Sequence, residues 1–166
     1  MGINIYIAIP IMGLLAVIQA VVLPRFPIAG VTPQLLFLVA LAWSLLRGPQ
    51  EGLLWAFIAG IWVDLFSMAP IGVSSLAFMV AVGAAALVQK ILPPRRLLSI
   101  ILLAGLATLV YLAIYLILLT ALGHGISANG LVELLPLLLL HILLIVPIYL
   151  LMQSLLRTFR PRPVEL

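Results

Sequence analysis

Asp64 is the only acidic side chain well inside an apolar run of this sequence. A carboxylate there could hold a proton, a cation or a ligand, or neutralise a buried basic group. Left bare near the centre of a membrane it costs about 3 kcal/mol. It belongs to the stretch GLLWAFIAGIWVDLFSMAPIG, in which Gly52, Ala56, Gly60 and Asp64 recur at every fourth position. On a helix this spacing draws a drifting stripe of small residues that leads to the carboxylate, a surface another helix can approach closely. With the turn residues Pro70 and Gly72, these are candidates for packing or partner contact.

The other groups able to do chemistry are scattered. Arg25 and Glu133 have opposite signs and fall on the same predicted side as Asp64, so Arg25 could pair with Asp64 or Glu133. Glu133 also suits the first turn of a helix, where the dipole favours a negative charge. His124 lies in a glycine-rich connection and His141 in the middle of an apolar run. Neither shows ligand spacing such as H-E-x-x-H, and His141 reads as a polar contact between helices. Ser74 and Ser75 have no acid–base neighbour to make either a nucleophile. With Tyr111, Tyr115 and Gln153 they are candidates for interhelical hydrogen bonds. Trp55, Trp62 and Phe66 form an aromatic face suited to packing or lipid contact. There are no cysteines, which excludes disulfides, thiol catalysis and cysteine-bound metal. No catalytic set, phosphate loop, cofactor site or nucleic-acid module is visible, so the reading is not an enzyme.

The elements that must carry these residues are apolar helices. Of the 166 residues 66% are hydrophobic and 7% charged, against about a quarter charged in a soluble domain. No soluble fold of this size hides so much apolar surface, so the solvent is lipid. Six apolar runs are expected as helices, at 3–23, 31–46, 52–68, 72–92, 97–122 and 131–156, in one domain covering 1–166 with a basic tail at 157–166. The first run lacks a basic n-region and a cleavage site and reads as a retained helix. Thr32 and Pro33 resemble a cap and first helical position for the second run. Pro136 and Pro147 should bend the sixth. The third run ends about one turn past Asp64, only ~6 Å at ~1.5 Å per residue, so water entry could hydrate the carboxylate.

Orientation follows from the basic residues. With six spans, Arg47, Lys90, Arg95, Arg96, Arg157, Arg160 and Arg162 share one side and Arg25 alone holds the other. This bias places both termini in the cytoplasm. It also accounts for the net charge of +4 without nucleic acid. The groups Arg95–Arg96 and Arg157, Arg160 and Arg162 set topology and could touch anionic lipid headgroups or a cytoplasmic partner.

From Thr32 to Lys90 the order of features resembles the MreD family of bacterial rod shape-determining proteins. A proline opens the second helix (Pro33) and an aromatic residue follows near its end (Trp43). A basic–Pro–Glu–Gly turn comes next (Arg47, Pro49, Glu51, Gly52), then a Gly-x-x-x-Asp segment (Gly60, Asp64) and a Pro-x-Gly turn (Pro70, Gly72). These pieces cover roughly a third of the chain. The resemblance implies a non-enzymatic inner-membrane component of the machinery for lateral cell-wall synthesis. Its implied partners are an MreC-like protein, a RodA-type glycosyltransferase with its penicillin-binding transpeptidase, and the MreB system. It also implies an all-α, compact six-helix bundle similar to the substrate-binding S components of energy-coupling-factor transporters.

The residues and the resemblance favour a membrane scaffold whose small-residue stripe packs against partner transmembrane helices to position a wall-synthesis complex. The rival is a substrate-binding membrane subunit of a vitamin or metal transporter, drawn from the same architecture. A proton-coupled carrier is weaker, because one edge-placed carboxylate comes without a polar helix face. Packing, not chemistry, is the better reading of Asp64.

Overall fold

The computed structural model describes residues 5–27, 30–92, 96–123 and 134–158, and among them are six α-helices and no strand. They are α1 (Ile5–Val17), α2 (Leu35–Arg47), α3 (Pro49–Leu65), α4 (Val73–Val88), α5 (Leu97–Ala121) and α6 (Leu134–Thr158). The centre is α2. Every residue from Leu36 to Leu45 is buried, and α2 touches all five other helices. A helix apolar on every side has to be enclosed by protein or lipid; here its neighbours α1, α3, α4, α5 and α6 follow one another around it, each packed on the next. Phe37 lies at the middle of this core, its ring 5.0 Å from Phe78, 5.2 Å from Tyr111 and 5.9 Å from His141.

Helix lengths are unequal. The stretch Ala8–Arg25, α5 and most of α6 are long and apolar enough to cross a membrane, whereas α2 and α4 are shorter apolar helices. The first apolar run does not stay α-helical. After α1 the chain widens into a π turn at Ile18–Val22 and tightens into a 3-10 turn at Leu23–Arg25. Pro24 explains the change, because its ring would collide with the carbonyl four residues earlier in a regular helix.

Two helix starts differ from the sequence reading. α2 begins at Leu35, so Thr32 and Pro33 do not open it. Thr32 precedes a proline and is held out of the helical region, and the Gln34 amide goes to another helix instead of to α2. α3 begins at Pro49, earlier than the apolar run, because Gly48 adopts φ +101° and lets the chain reverse directly from α2. Pro136 falls in the first turn of α6, where its missing N–H has no helical acceptor to lose, and Pro147 lies inside the helix.

Phe37→Ala tests the central place of α2. The variant loses ring packing from three helices, but in lipid it keeps no water-transfer term, so the cost is on the order of 2 kcal/mol, below the ~3–5 typical of soluble cores. It should appear as a lowered thermal midpoint in detergent, with an unchanged midpoint contradicting the assignment.

Candidate functional site

Asp64 is the last-but-one residue of α3, and the residue is 2% exposed. Oδ2 accepts from the Gly72 amide at 2.7 Å and Oδ1 from the Ser74 amide at 3.1 Å. These are donors at the start of α4, and Gly72, the residue flanking that helix, has no side chain to cap them. A carboxylate at a helix N-terminus satisfies orphan amides and also lies at the positive end of the dipole. Asp64 is thus an N-cap supplied from the preceding helix. The expected hydration is corrected: protein amides, not water, solvate this charge. Gly72 itself turns with φ +102°, in the left-handed region that glycine enters without strain.

Of the two pairings open to Arg25, with Asp64 or with Glu133, the one with Asp64 does not form among the described residues. Both carboxylate oxygens are engaged by backbone amides, and the ion pair found among the described residues joins Arg47 to Glu51. Arg25 ends the 3-10 turn after α1. Glu133, Arg95, Arg160, Arg162 and His124 lie outside the described residues.

The small-residue stripe is spent inside the chain. Gly52, Ala56, Gly60 and Asp64 are all buried. A β-carbon at Gly52 would fall on Ser44 of α2, and one at Gly60 would fall on the backbone of Ser75 in α4. Four residues turn a helix through about 400°, so the stripe drifts by about 40° per step and about 80° between these two glycines. It therefore meets α2 at one end and α4 at the other. Ser75 adds a hydroxyl donated to the Phe57 carbonyl at 3.2 Å. The reading of this stripe as a surface for a partner helix is corrected, because α2 and α4 already occupy it. The aromatic face divides as well. Trp55 points inward and stacks on Trp43 at 4.3 Å, while Trp62 packs against Gly13 of α1.

At the α2–α3 turn the residues that carried the family resemblance converge. Trp43 Nε1 donates to Glu51 Oε2 at 3.0 Å, and Arg47 reaches the same carboxylate through Nε and Nη2, each at 3.4 Å. Gln89, just past α4, donates to the Leu45 carbonyl near the end of α2 at 3.1 Å. Of the other basic residues, Arg96 immediately precedes α5 and Arg157 lies in the last turn of α6.

A second polar set surrounds the start of α2. Gln19, placed by the π turn, accepts from the Leu36 amide at 3.1 Å and donates to Gln34 Oε1 at 2.6 Å. The Gln34 amide donates to His141 Nε2 at 3.0 Å, so the ring proton sits on Nδ1 and faces Thr108 Oγ1 at 3.1 Å. Four elements are tied together here. Sequence reasoning singled out His141 as an interhelical contact but passed over Gln19, Gln34 and Thr108. The available signal was that amide and imidazole groups in apolar runs need partners in lipid. Chemically, both polar sets satisfy backbone donors. Among the described residues no three of His, Asp and Glu gather where a metal ion could sit.

A family model described as rod shape-determining protein MreD matches residues 1–159. No curated protein and no solved structure matches the chain.

The geometry ranks three substitutions. Gly60→Leu should lower accumulation of folded protein at least as much as Asp64→Asn, because backbone stands where its β-carbon would go. Asn keeps one acceptor oxygen, whereas Asp64→Leu strands the buried Ser74 amide, at about 1–3 kcal/mol, and the part-buried Gly72 amide as well. Comparing folded yields and thermal midpoints checks the order, and a neutral Gly60→Leu would contradict the close approach.

Proposed function

The chain belongs to the MreD family of rod shape-determining proteins, and from that premise we propose that it is a membrane scaffold of the cell-elongation peptidoglycan synthesis machinery. A role in rod shape determination comes with the family. In this reading the protein spans the bacterial inner membrane six times with both termini in the cytoplasm, as a compact bundle similar to the S components of energy-coupling-factor transporters. Its partners are an MreC-like protein, the MreB system, and a RodA-type glycosyltransferase with its penicillin-binding transpeptidase. It performs no catalysis of its own.

The observation that carries this reading is how the interior polar groups are used. Asp64, Ser75, Gln19 and His141 bind backbone amides or carbonyls of neighbouring helices, so they fasten the bundle. Phe37, Phe78 and Tyr111, which could have lined a ligand cavity, pack on one another. That favours the scaffold over a substrate-binding transporter subunit. The basic residues Arg47, Lys90, Arg96 and Arg157 belong to the cytoplasmic side by the positive-inside rule.

With the α3 stripe occupied internally, partner helices have to meet outward faces. Leu14 on α1, Leu102 on α5 and Leu143 on α6 are exposed, and each stands for one such face. A photo-crosslinking side chain placed at these three positions should capture an MreC-like protein or another wall-synthesis component from at least one face. The same probe at buried Ala56 should capture none. Recovery of no wall-synthesis component from any outward face would reject the scaffold reading.

A further inference from the structure

At one end of the bundle the unpaired cations stand on one flank. The ends of α2, α4 and α6 lie there with the starts of α3 and α5, and with them Arg47, Lys90, Arg96 and Arg157. Glu51 is the carboxylate at this end among the described residues, and Trp43 and Arg47 already engage it. Lys90, Arg96 and Arg157 are exposed and form no ion pair among the described residues. They belong to α4, α5 and α6, which follow one another around α2. The opposite flank is different. Before Arg25 the sequence carries no charged side chain, and the charge that α3 brings to this end is Glu51.

Topology does not require this arrangement, because the positive-inside rule depends on how many cations share a side and not on their flank. Helix dipoles account for two of the three. Lys90 follows α4 and Arg157 lies in the last turn of α6, where the carbonyl end of a helix favours positive charge. Arg96 immediately precedes α5, at the positive end of that dipole, where a cation is disfavoured. It calls for an anion, and no described carboxylate supplies one.

Depth says which anion. Thr108 meets His141 across α5 and α6, and Phe78 meets Tyr111 across α4 and α5. Counted from these contacts at ~1.5 Å per residue, Arg157 lies ~6 Å beyond Arg96 and Lys90 ~5 Å short of it. The stems of Lys and Arg are long enough to bring such a band onto one headgroup layer. Each cation also borders exposed apolar side chains. Leu87 and Ile91 flank Lys90, Leu97 follows Arg96, and Leu150 lies two turns before Arg157. The charges therefore emerge where the lipid-facing flank ends, which is the level of lipid phosphates.

We propose that Lys90, Arg96 and Arg157 form a binding surface for anionic phospholipid headgroups, so that the α4–α5–α6 flank gathers anionic lipid and the α1–α3 flank does not. A cation near such headgroups is worth a several-fold preference. The inference rests on reading α4, α5 and α6 as membrane spans, and not on the scaffold role.

Spin-labelled lipids test it with the full chain in vesicles of dioleoyl phosphatidylcholine. The protein should immobilise labelled phosphatidylglycerol several-fold more strongly than labelled phosphatidylcholine, and high salt should remove the difference. Lys90→Gln, Arg96→Gln and Arg157→Gln should each reduce the preference, and the three together should abolish it. Arg25→Gln should leave it unchanged, and Arg96→Lys should retain it. Each single variant keeps the other basic residues of its side and with them its orientation, so the singles decide if the triple variant fails to fold. Equal immobilisation of the two lipids would overturn the proposal and leave the cations to an acidic cytoplasmic protein. So would a preference that ignores salt, that survives in the triple variant, or that Arg25→Gln lowers as much. Displacement of phosphatidylglycerol by millimolar glycerol phosphate would overturn it too, the surface then being one for free phosphate. Immobilisation of neither lipid would remove the span reading itself, whereas immobilised phosphatidylcholine without a preference removes only this proposal.

Discussion

A helix that starts inside an apolar bundle presents amides with no water to receive them, and this constraint organises the molecule. Among the described residues α2 and α4 make such starts, and neither has a capping side chain at its own first position. In both cases the acceptor comes from elsewhere in the chain. Asp64 reaches from the end of α3 to the start of α4. Gln19 and His141 reach from the π turn and from α6 to the start of α2. Unsatisfied amides cost several kcal/mol in hydrocarbon, so these contacts settle which helices lie side by side.

Close approach is the second half of the same solution. The Asp64 carboxylate can reach Gly72 and Ser74 because Gly60, one turn earlier, brings α3 against the backbone of α4. Gly52 does the same toward α2 at the other end. Without water, dispersion between well-fitted surfaces is the main attraction between helices, and small residues maximise it. The clasp of Trp43, Arg47 and Glu51, with Trp55 stacked on Trp43, then holds the α2–α3 turn. Two turns at opposite ends of α3 are thereby pinned, each by one carboxylate.

A bundle fastened in this way has little interior chemistry left over, which is the physical sense of the scaffold reading. In that reading its outside is what partners would meet: leucine-rich faces on α1, α5 and α6 and basic residues near the helix ends. Rigid internal packing fixes the relative placement of these faces. In the scaffold reading, that placement is the useful property.

Much of this was legible without coordinates. Composition demanded lipid as solvent, proline and glycine marked the breaks, and the order of Trp43, Arg47, Glu51, Gly60, Asp64, Pro70 and Gly72 pointed to the family, because each of these depends on residue type and local spacing. The four-residue spacing announced close packing around α3, since small side chains at helical spacing serve that purpose wherever they occur. Only the tertiary structure decided what each surface met. A 40° drift per step is readable in a sequence, but that it sweeps from α2 to α4 is not, because it depends on where those helices stand. Likewise a buried Asp, Gln or His signals a need for a partner without naming it. Asp64 took amides eight and ten residues on, not Arg25, and His141 took the amide of Gln34, 107 residues away. Hydrogen-bond need is a property of the residue; the group that meets it is a property of the fold.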